Sequence, residues 1–508
     1  MKHRRILSGL AALMLAASLP MSALAREWDI ADGDITIVAD NDGQKVSQGT
    51  ENDISDDNPV IIGNSATNTV SIVAEKDQTA SVTLSGANID GSTKGNAAVS
   101  TTGEGNVSIE LDGDNTLKSG KGHAGLEKKN GGKLTIADED KNGKLTAEGG
   151  KYGAGIGGGD QGAGSGITIT GGEIKATGGQ YGAGIGGGKG DGSDITISGG
   201  EVNATGGTSG AGIGGGYNGN GSDITITDGE VNATGGKYGA GIGGGEYGIG
   251  KDIIITGGEV NATGGRFSAG LGGGSRGTGS DITISGGEVN ASGGVNGAGI
   301  GGGLRSKGKD ITVSGDTKLK VQGGDEDHYD GAGAGIGDGG SNAYGTKILG
   351  AEVEPDTSGL TTGRIECYAP GADMDKDAPS QTIVGTYIPP QPAREAAAPA
   401  QPAAPLYRVT DGDGKDVSYE TTWRDGVLTV TVEADRAVLT GRLSGIASLQ
   451  AQGIERIVFI TKGATSEFLT ADLLAAATAT ERYALSHDGE AVTFTAGEAD
   501  VSGILVKA

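Results

Sequence analysis

The chain is poor in the residues from which ordinary domain cores are built. Its 508 residues include 4 Phe and 2 Trp, and aromatic residues make up 4% of the whole. Conventional globular cores need large apolar side chains, so one or two such cores cannot account for a chain this long. One cysteine, Cys367, excludes an internal disulfide framework, and with no histidine near it in sequence it reads as an inert buried thiol. The 11 prolines and the lack of a Gly-X-Y period exclude collagen, although 104 residues are glycine. Beyond the N-terminus no segment approaches the roughly 20 apolar residues of a membrane span.

Positive charge is also scarce. Lys and Arg number 39 against 65 Asp and Glu, a formal net charge of −26. Net charge thereby disfavours nucleic acid and anionic membrane surfaces as partners, because both call for a basic footprint. Acidity of this size keeps an exposed protein soluble and leaves divalent cations as plausible ligands. The N-terminus has the form of an export signal. Lys2, His3, Arg4 and Arg5 precede the mostly apolar Ile6 to Leu19, and Ala23-Leu-Ala25 is a small-x-small cleavage site. The expectation is a signal peptide over residues 1–25 and a secreted or cell-surface protein starting at Arg26.

What the chain has in abundance is a repeat. The alanine of a Gly-Ala-Gly-Ile-like motif recurs at Ala124, Ala154, Ala183, Ala211, Ala240, Ala269, Ala298 and Ala334. A typical unit runs Gly239-Ala-Gly-Ile-Gly-Gly-Gly245, then Asp252-Ile-Ile-Ile-Thr256, then Glu259-Val-Asn-Ala-Thr263. Each of its three short segments alternates apolar and polar residues, the signature of a strand, and glycine pairs separate them. Helical repeats are excluded, because three to five residues between glycines cannot propagate a helix. Three strands per unit of ~29 residues, each stacked on its counterpart, predict an all-β, right-handed parallel β-helix. We assign residues 26–354 to it, with an irregular N-terminal cap to about 117 and regular repeats over 118–348.

After an exit segment and a Pro/Ala-rich linker over 355–405, glycine thins out and Trp423, Phe459 and Phe468 appear. Val427 to Val432 and Ile454 to Ile460 read as strands and Thr470 to Thr480 as a short helix. Residues 406–508 are therefore expected to form a small α+β or β-rich domain, a candidate for contact with a cell-surface protein or the cell wall.

The candidate functional residues face outward in columns. Asp194, Asp223, Asp252, Asp281 and Asp310 precede the second strand, and Asn203, Asn232, Asn261 and Asn290 lie in the third. Stacked carboxylates repel one another, and calcium, which takes six to eight oxygens, would turn that repulsion into attraction. The plainer reading is that each Asp accepts turn N–H bonds and that the Asn side chains form amide ladders. Asp325, Asp327 and Asp330, in a segment that lengthens its unit, are further metal candidates without the Gly and terminal Glu of an EF-hand loop. Thr168, Thr196, Thr225, Thr283 and Thr312 form another column, interrupted by Ile254. Tyr152, Tyr181, Tyr238 and Phe267 precede the Gly-Ala-Gly turns, often behind a basic residue, with Ser209 and Asn296 breaking the row. Aromatic rings suit the C–H faces of sugars; the plain alternative is that they shield the turn.

Ala80-Ser-Val-Thr-Leu-Ser-Gly-Ala-Asn-Ile-Asp90, Val107-Ser-Ile-Glu-Leu-Asp-Gly-Asp-Asn-Thr-Leu117 and the Gly-Ala-Gly-Ile-Gly-Gly-Gly / Ile-Thr-Ile-Ser-Gly-Gly-Glu-Val-Asn-Ala-Thr-Gly-Gly repeats resemble the carbohydrate-binding β-helix domains of clostridial secreted proteins. The resemblance covers residues 60 to 350. It implies non-catalytic binding of extracellular, plant-type acidic polysaccharide, with calcium. Two alternatives stand beside it, a surface adhesin or structural stalk with a protein partner and a β-helix polysaccharide lyase or hydrolase. Polygalacturonase-like sequences carry Gly-His-Gly and Arg-Ile-Lys, whereas this chain has Gly120-Lys-Gly-His123-Ala and Arg364-Ile-Glu366. The expectation is a protein that is not an enzyme.

Overall fold

The computed structural model describes residues 26–385 except 344–345, and 407–506 except 413, 416, 425, 477–481 and 498. The expected signal peptide, residues 1–25, and the part of the expected Pro/Ala-rich linker within 386–406 lie outside the described residues.

Residues 26–385 form a parallel β-solenoid. The first strands of successive coils make a 13-stranded sheet, and the second and third strands together make a 21-stranded sheet. Register is kept at one coil per repeat. Ile185 pairs with Ile213 and Ile213 with Ile242 in the first strand. Ile195 pairs with Ile224 in the second strand and Val202 with Val231 in the third. Because side chains alternate across a strand, each match puts one apolar residue on top of its own copy at a spacing of about 4.8 Å. The result is a continuous core from Trp28 to Ile365.

The glycines are required by how closely the coils approach. Gly157, Gly186, Gly214, Gly243, Gly272, Gly301 and Gly337 each follow the inward apolar residue of the first strand, with φ between 125° and 136°. A Cβ on Gly243 would stand 2.0 Å from the carbonyl oxygen of Gly272, and one on Gly272 would stand 2.2 Å from that of Gly301. No side chain fits, and no L-residue adopts that φ without strain.

Both ends of the solenoid are capped. At the start, the antiparallel hairpin Ile35–Asp40 / Gly43–Gln48 and the strand Glu51–Ser55 continue the first sheet. Trp28 is buried there, and its indole N–H donates to Asp56 Oδ2 at 2.8 Å. Parallel pairing begins at once, with Glu27–Asp29 on Val60–Ile62, so the irregular cap is much shorter than the expected run to residue 117. At the far end, the Glu352 carboxylate accepts the Gly335 and Ile336 N–H groups at 2.8 and 3.1 Å, where another coil's carbonyls would otherwise be. The third-strand column continues past the expected limit of 354: Arg364–Tyr368 stacks in parallel on Lys318–Gln322, and Gln381–Val384 closes the edge antiparallel. The boundary moved because this last coil has lost the glycine motif while keeping the strand alternation.

The C-terminal domain is α+β. Tyr407–Thr410, Arg436–Arg442, Arg482–Asp488, Ala491–Ala496 and Ala499–Asp500 make one antiparallel sheet. Glu420–Arg424, Val427–Thr431, Arg456–Ile460 and Thr465–Leu469 make a second, mixed sheet. Two helices, α1 (Leu443–Ala451) and α2 (Thr470–Ala476), accompany them. Helix α2 is described to Ala476; the rest of the expected helix, to Thr480, lies outside the described residues. Phe459, Phe468, Tyr483 and Phe494 are buried in a core separate from that of the solenoid.

Gly243→Ala is expected to destabilise the solenoid by about 3 kcal/mol or more, because it adds both a forbidden φ and a backbone overlap. Gly122→Ala, whose Cβ would meet only the Asp160 Cβ at 3.8 Å, is expected to stay within about 0.5 kcal/mol of the parent. Denaturant unfolding of the two variants side by side is the measurement. Equal midpoints would show that backbone approach does not limit this column.

Candidate functional site

Two turns of neighbouring coils lie side by side along one edge of the solenoid. The carbonyl of Tyr181 accepts the Tyr217 N–H at 2.8 Å, and that of Tyr238 accepts the Ser275 N–H at 2.9 Å. This brings together aromatic residues that are far apart in each repeat. Tyr152 stacks on Tyr181 with ring centroids 5.3 Å apart and 13° between planes. Tyr181 meets Tyr217 edge-on at 5.5 Å, and Tyr217 meets Tyr247 edge-on at 6.2 Å. Tyr238 and Phe267 form a second stacked pair at 5.7 Å. Sequence reasoning selected Tyr152, Tyr181, Tyr238 and Phe267. Tyr217 and Tyr247 belong to the following turn, which sequence periodicity does not place beside the first. Where the row breaks, Ser209 is buried and donates to Glu246 Oε2 at 2.7 Å.

The stacked pairs use ring faces on each other. Each ring of a stacked pair spends one face on its partner, because aromatic residues at coil spacing are close neighbours. What the edge offers beside them is cations. Lys121, Lys151 and Lys189 lie 5.7, 5.2 and 5.4 Å from the centre of the Tyr152 ring. Lys237 lies 4.9 Å from Tyr238, Arg266 lies 5.0 Å from Phe267, and Arg276 lies 5.8 Å from Tyr247. In a chain with a net charge of −26, six cations gather along this one edge, with Glu246 and Asp327 among them.

The outward asparagines are engaged with one another. Asn232, Asn261 and Asn290 each donate through Nδ2 to the Oδ1 of the preceding coil's asparagine, at 3.1, 2.9 and 2.7 Å. The amide ladder joins Asn203, Asn232, Asn261 and Asn290, the second of the two roles that the sequence left open for them.

The aspartates that precede the second strand all adopt left-handed backbone, with φ of 52°, 54°, 53°, 55° and 54° at Asp194, Asp223, Asp252, Asp281 and Asp310. Gly166 holds the same position one coil earlier, with φ of 68°. Asp and Asn are the non-glycine residues that tolerate this conformation best, so backbone geometry alone favours Asp here. The carboxylates also have partners within the chain. Asp223 pairs with Arg442, Asp252 lies 3.3 Å from Lys251, Asp310 lies 2.7 Å from Lys309, and Asp281 accepts from Ser280 at 2.9 Å. Burial holds the Asp194 carboxyl above its ordinary range, against the opposing pull of Lys133. Below it, Lys128 donates to the carbonyls of Asn130 and Gly132, both at 2.8 Å, and burial pushes its ammonium down to about 8.

The segment 325–330 does not gather its carboxylates round a centre. Asp330 is buried and makes two bonds, at 2.9 and 3.0 Å, to Arg305. Asp327 accepts the N–H groups of Tyr329 and Asp330 at 2.8 and 2.7 Å. Arg305 thus engages both oxygens of Asp330, whereas both N–H bonds to Asp327 fall on Oδ1. Among the described residues, the group with ligand spacing is one the sequence analysis missed. Glu110, Asp138 and Asp140 bring carboxylate oxygens within 4.8 Å of one another. Burial and the neighbouring acids Glu139, Asp138 and Asp140 raise the Glu110 carboxyl. The clue was available: Glu110 sits in register with Ala137, next to the run Asp138-Glu-Asp140.

Six segments, residues 141–160, 167–189, 195–217, 224–246, 253–275 and 282–304, match the family model of the β-helix repeat. The chain carries β-helix repeats. No curated protein and no solved structure matches it. Among the described residues no helix is long and apolar enough to cross a membrane.

The reactive residues of the β-helix coils and the C-terminal domain are held in separate settings. His123 Nδ1 is 2.8 Å from Glu127 Oε2, which Lys129 also approaches at 2.8 Å. The half-buried Cys367 thiol is pushed up to about 11, chiefly by burial. His487 is fully buried between Ser466, 2.8 Å from its Nε2, and Thr461, 3.1 Å from its Nδ1. Burial pulls the His487 imidazole down to about 4. The folded domain therefore holds His487 neutral, while the unfolded chain takes up a proton below about pH 6.5. This contribution to stability is complete above about pH 6.5 and is lost as pH falls towards 4, at about 1.4 kcal/mol per pH unit. Between those limits the parent's melting temperature should fall more steeply with acidification than that of His487→Gln. Parallel pH profiles would remove the imidazole from the account.

Proposed function

We propose that the solenoid binds an extended, anionic extracellular polysaccharide along the aromatic and basic edge and does not cleave it. The observation that carries this reading is the clustering of Lys121, Lys151 and Lys189 round the Tyr152 ring, with Lys237, Arg266 and Arg276 beside the rings that follow. Carboxylates of a uronic acid polymer would meet ammonium and guanidinium groups, and sugar hydroxyls would meet the tyrosine hydroxyls. A solenoid edge repeats its groups at a fixed interval, which suits a polymer better than a compact ligand. β-Helix repeats are compatible with this role and equally with polysaccharide processing.

Calcium has no required part in this reading, because the cations of the edge belong to the protein. Pectate binding by residues 26–508 is expected to persist in EDTA, to weaken between 0.05 and 0.5 M NaCl, and to exceed binding to a neutral glucan. Joint replacement Lys121→Gln, Lys151→Gln and Lys189→Gln should weaken it by about tenfold or more with the fold intact. Undiminished binding by that variant would move the site off this edge. Release of unsaturated or reducing sugar from pectate would instead establish the lyase or hydrolase alternative.

A further inference from the structure

The Thr and Asp columns are where the C-terminal domain meets the solenoid. Arg442 ends the strand Arg436–Arg442 and is the N-cap residue of α1, with extended backbone and no side-chain cap bond. Its guanidinium pairs with Asp223 and lies 4.0 Å from Asp252, so it spans two successive coils. A cation at a helix N-terminus is poorly placed with respect to the helix dipole, and nearby carboxylates offset both charges. Ser444, Ala447 and Ser448 of α1 line a cleft of about 930 Å³ together with the Thr and Asp columns. Ile254, the one apolar member of the Thr column, follows Asp252 by two residues and lines the same cleft. An isoleucine suits a position next to a packed domain better than one in a hydrated threonine row.

No strand pairing joins the two parts among the described residues, and their apolar cores are separate. The ion pairs of Arg442 are partly exposed, at 41% for Arg442, 36% for Asp223 and 29% for Asp252. Such pairs are open to screening by salt. We propose that Arg442 is an electrostatic latch: it docks the C-terminal domain on the Thr and Asp face of the solenoid, and breaking its pairs with Asp223 and Asp252 uncovers that face. The proposal is independent of the carbohydrate reading, which concerns a different edge.

The test is small-angle X-ray scattering on the full mature chain, 26–508. In 0.05 M NaCl the parent should be compact. Arg442→Glu should raise its radius of gyration and maximum dimension, and 1 M NaCl, where the screening length is about 3 Å, should do the same to the parent. The joint change Asp223→Asn and Asp252→Asn leaves the C-terminal domain untouched and keeps residues that tolerate left-handed backbone, so it should open the chain even if Arg442→Glu perturbs α1. Asp281→Asn with Asp310→Asn, in the same column but away from Arg442, should leave the chain closed. Identical scattering from parent, Arg442→Glu and Asp223→Asn/Asp252→Asn in both salts would overturn the latch.

Discussion

Everything in this molecule depends on how closely one coil lies on the next. At about 4.8 Å between strands the backbone of each first-strand turn has no room for a Cβ. The Cβ of Gly214 would stand 2.1 Å from the Gly243 carbonyl oxygen. Glycine is therefore a steric requirement here. Its cost in chain entropy is offset because each layer buries Ile, Val and Ala on identical neighbours and pairs its backbone N–H and C=O groups above and below. The same closeness explains why so few aromatics are needed. The interior is filled by short ladders such as Ile195, Ile224 and Ile253, each fully buried.

Stacking also dictates what happens outside. A residue that recurs every coil faces its own copy, and the columns resolve this in different ways. Asparagine solves it by donating amide to carbonyl from coil to coil. Tyrosine solves it by ring stacking. Glutamate has no such solution. The column Glu173, Glu201, Glu230, Glu259, Glu288 remains exposed and ends on Lys144 at 2.7 Å and on Lys318 at 3.7 Å. Aspartate is tolerated because the αL corner suits it and because Arg442, Lys251 and Lys309 supply counter-charge. Each outward ladder is first a consequence of the repeat, and only what remains after self-pairing is available to a ligand.

That order explains which features could be read from the sequence. The three-strand coil, its register and its inward residues follow from period and alternation alone, and the structure repeats them residue for residue through Ile300 and Val313. Features created by contacts between non-equivalent positions were not legible. The meeting of Tyr181 with Tyr217 joins two different turns of successive coils. The coil at Arg364–Tyr368 lacks the glycine motif that marked the others. Glu110 joins Asp138 and Asp140 only because a bend of the next coil returns beside it. The pairing of Arg442 with Asp223 links positions 219 residues apart and belongs to no repeat.

The two faces of the solenoid thus differ in what self-pairing leaves over. On the Asp and Thr face the leftover charge is negative, and a cation of the chain's own second domain rests on it. On the turn edge the rings consume one another's faces and leave lysine and arginine beside them, in a protein that is otherwise strongly acidic. Cations held close together against aromatic rings repel one another, and a polyanion lying along them would relieve that repulsion at several coils at once. A single small anion would relieve it at one. On the proposed reading, the spacing of charge along the edge favours a chain of acidic groups over any one of them, and the stacked glycine backbone would hold that spacing constant.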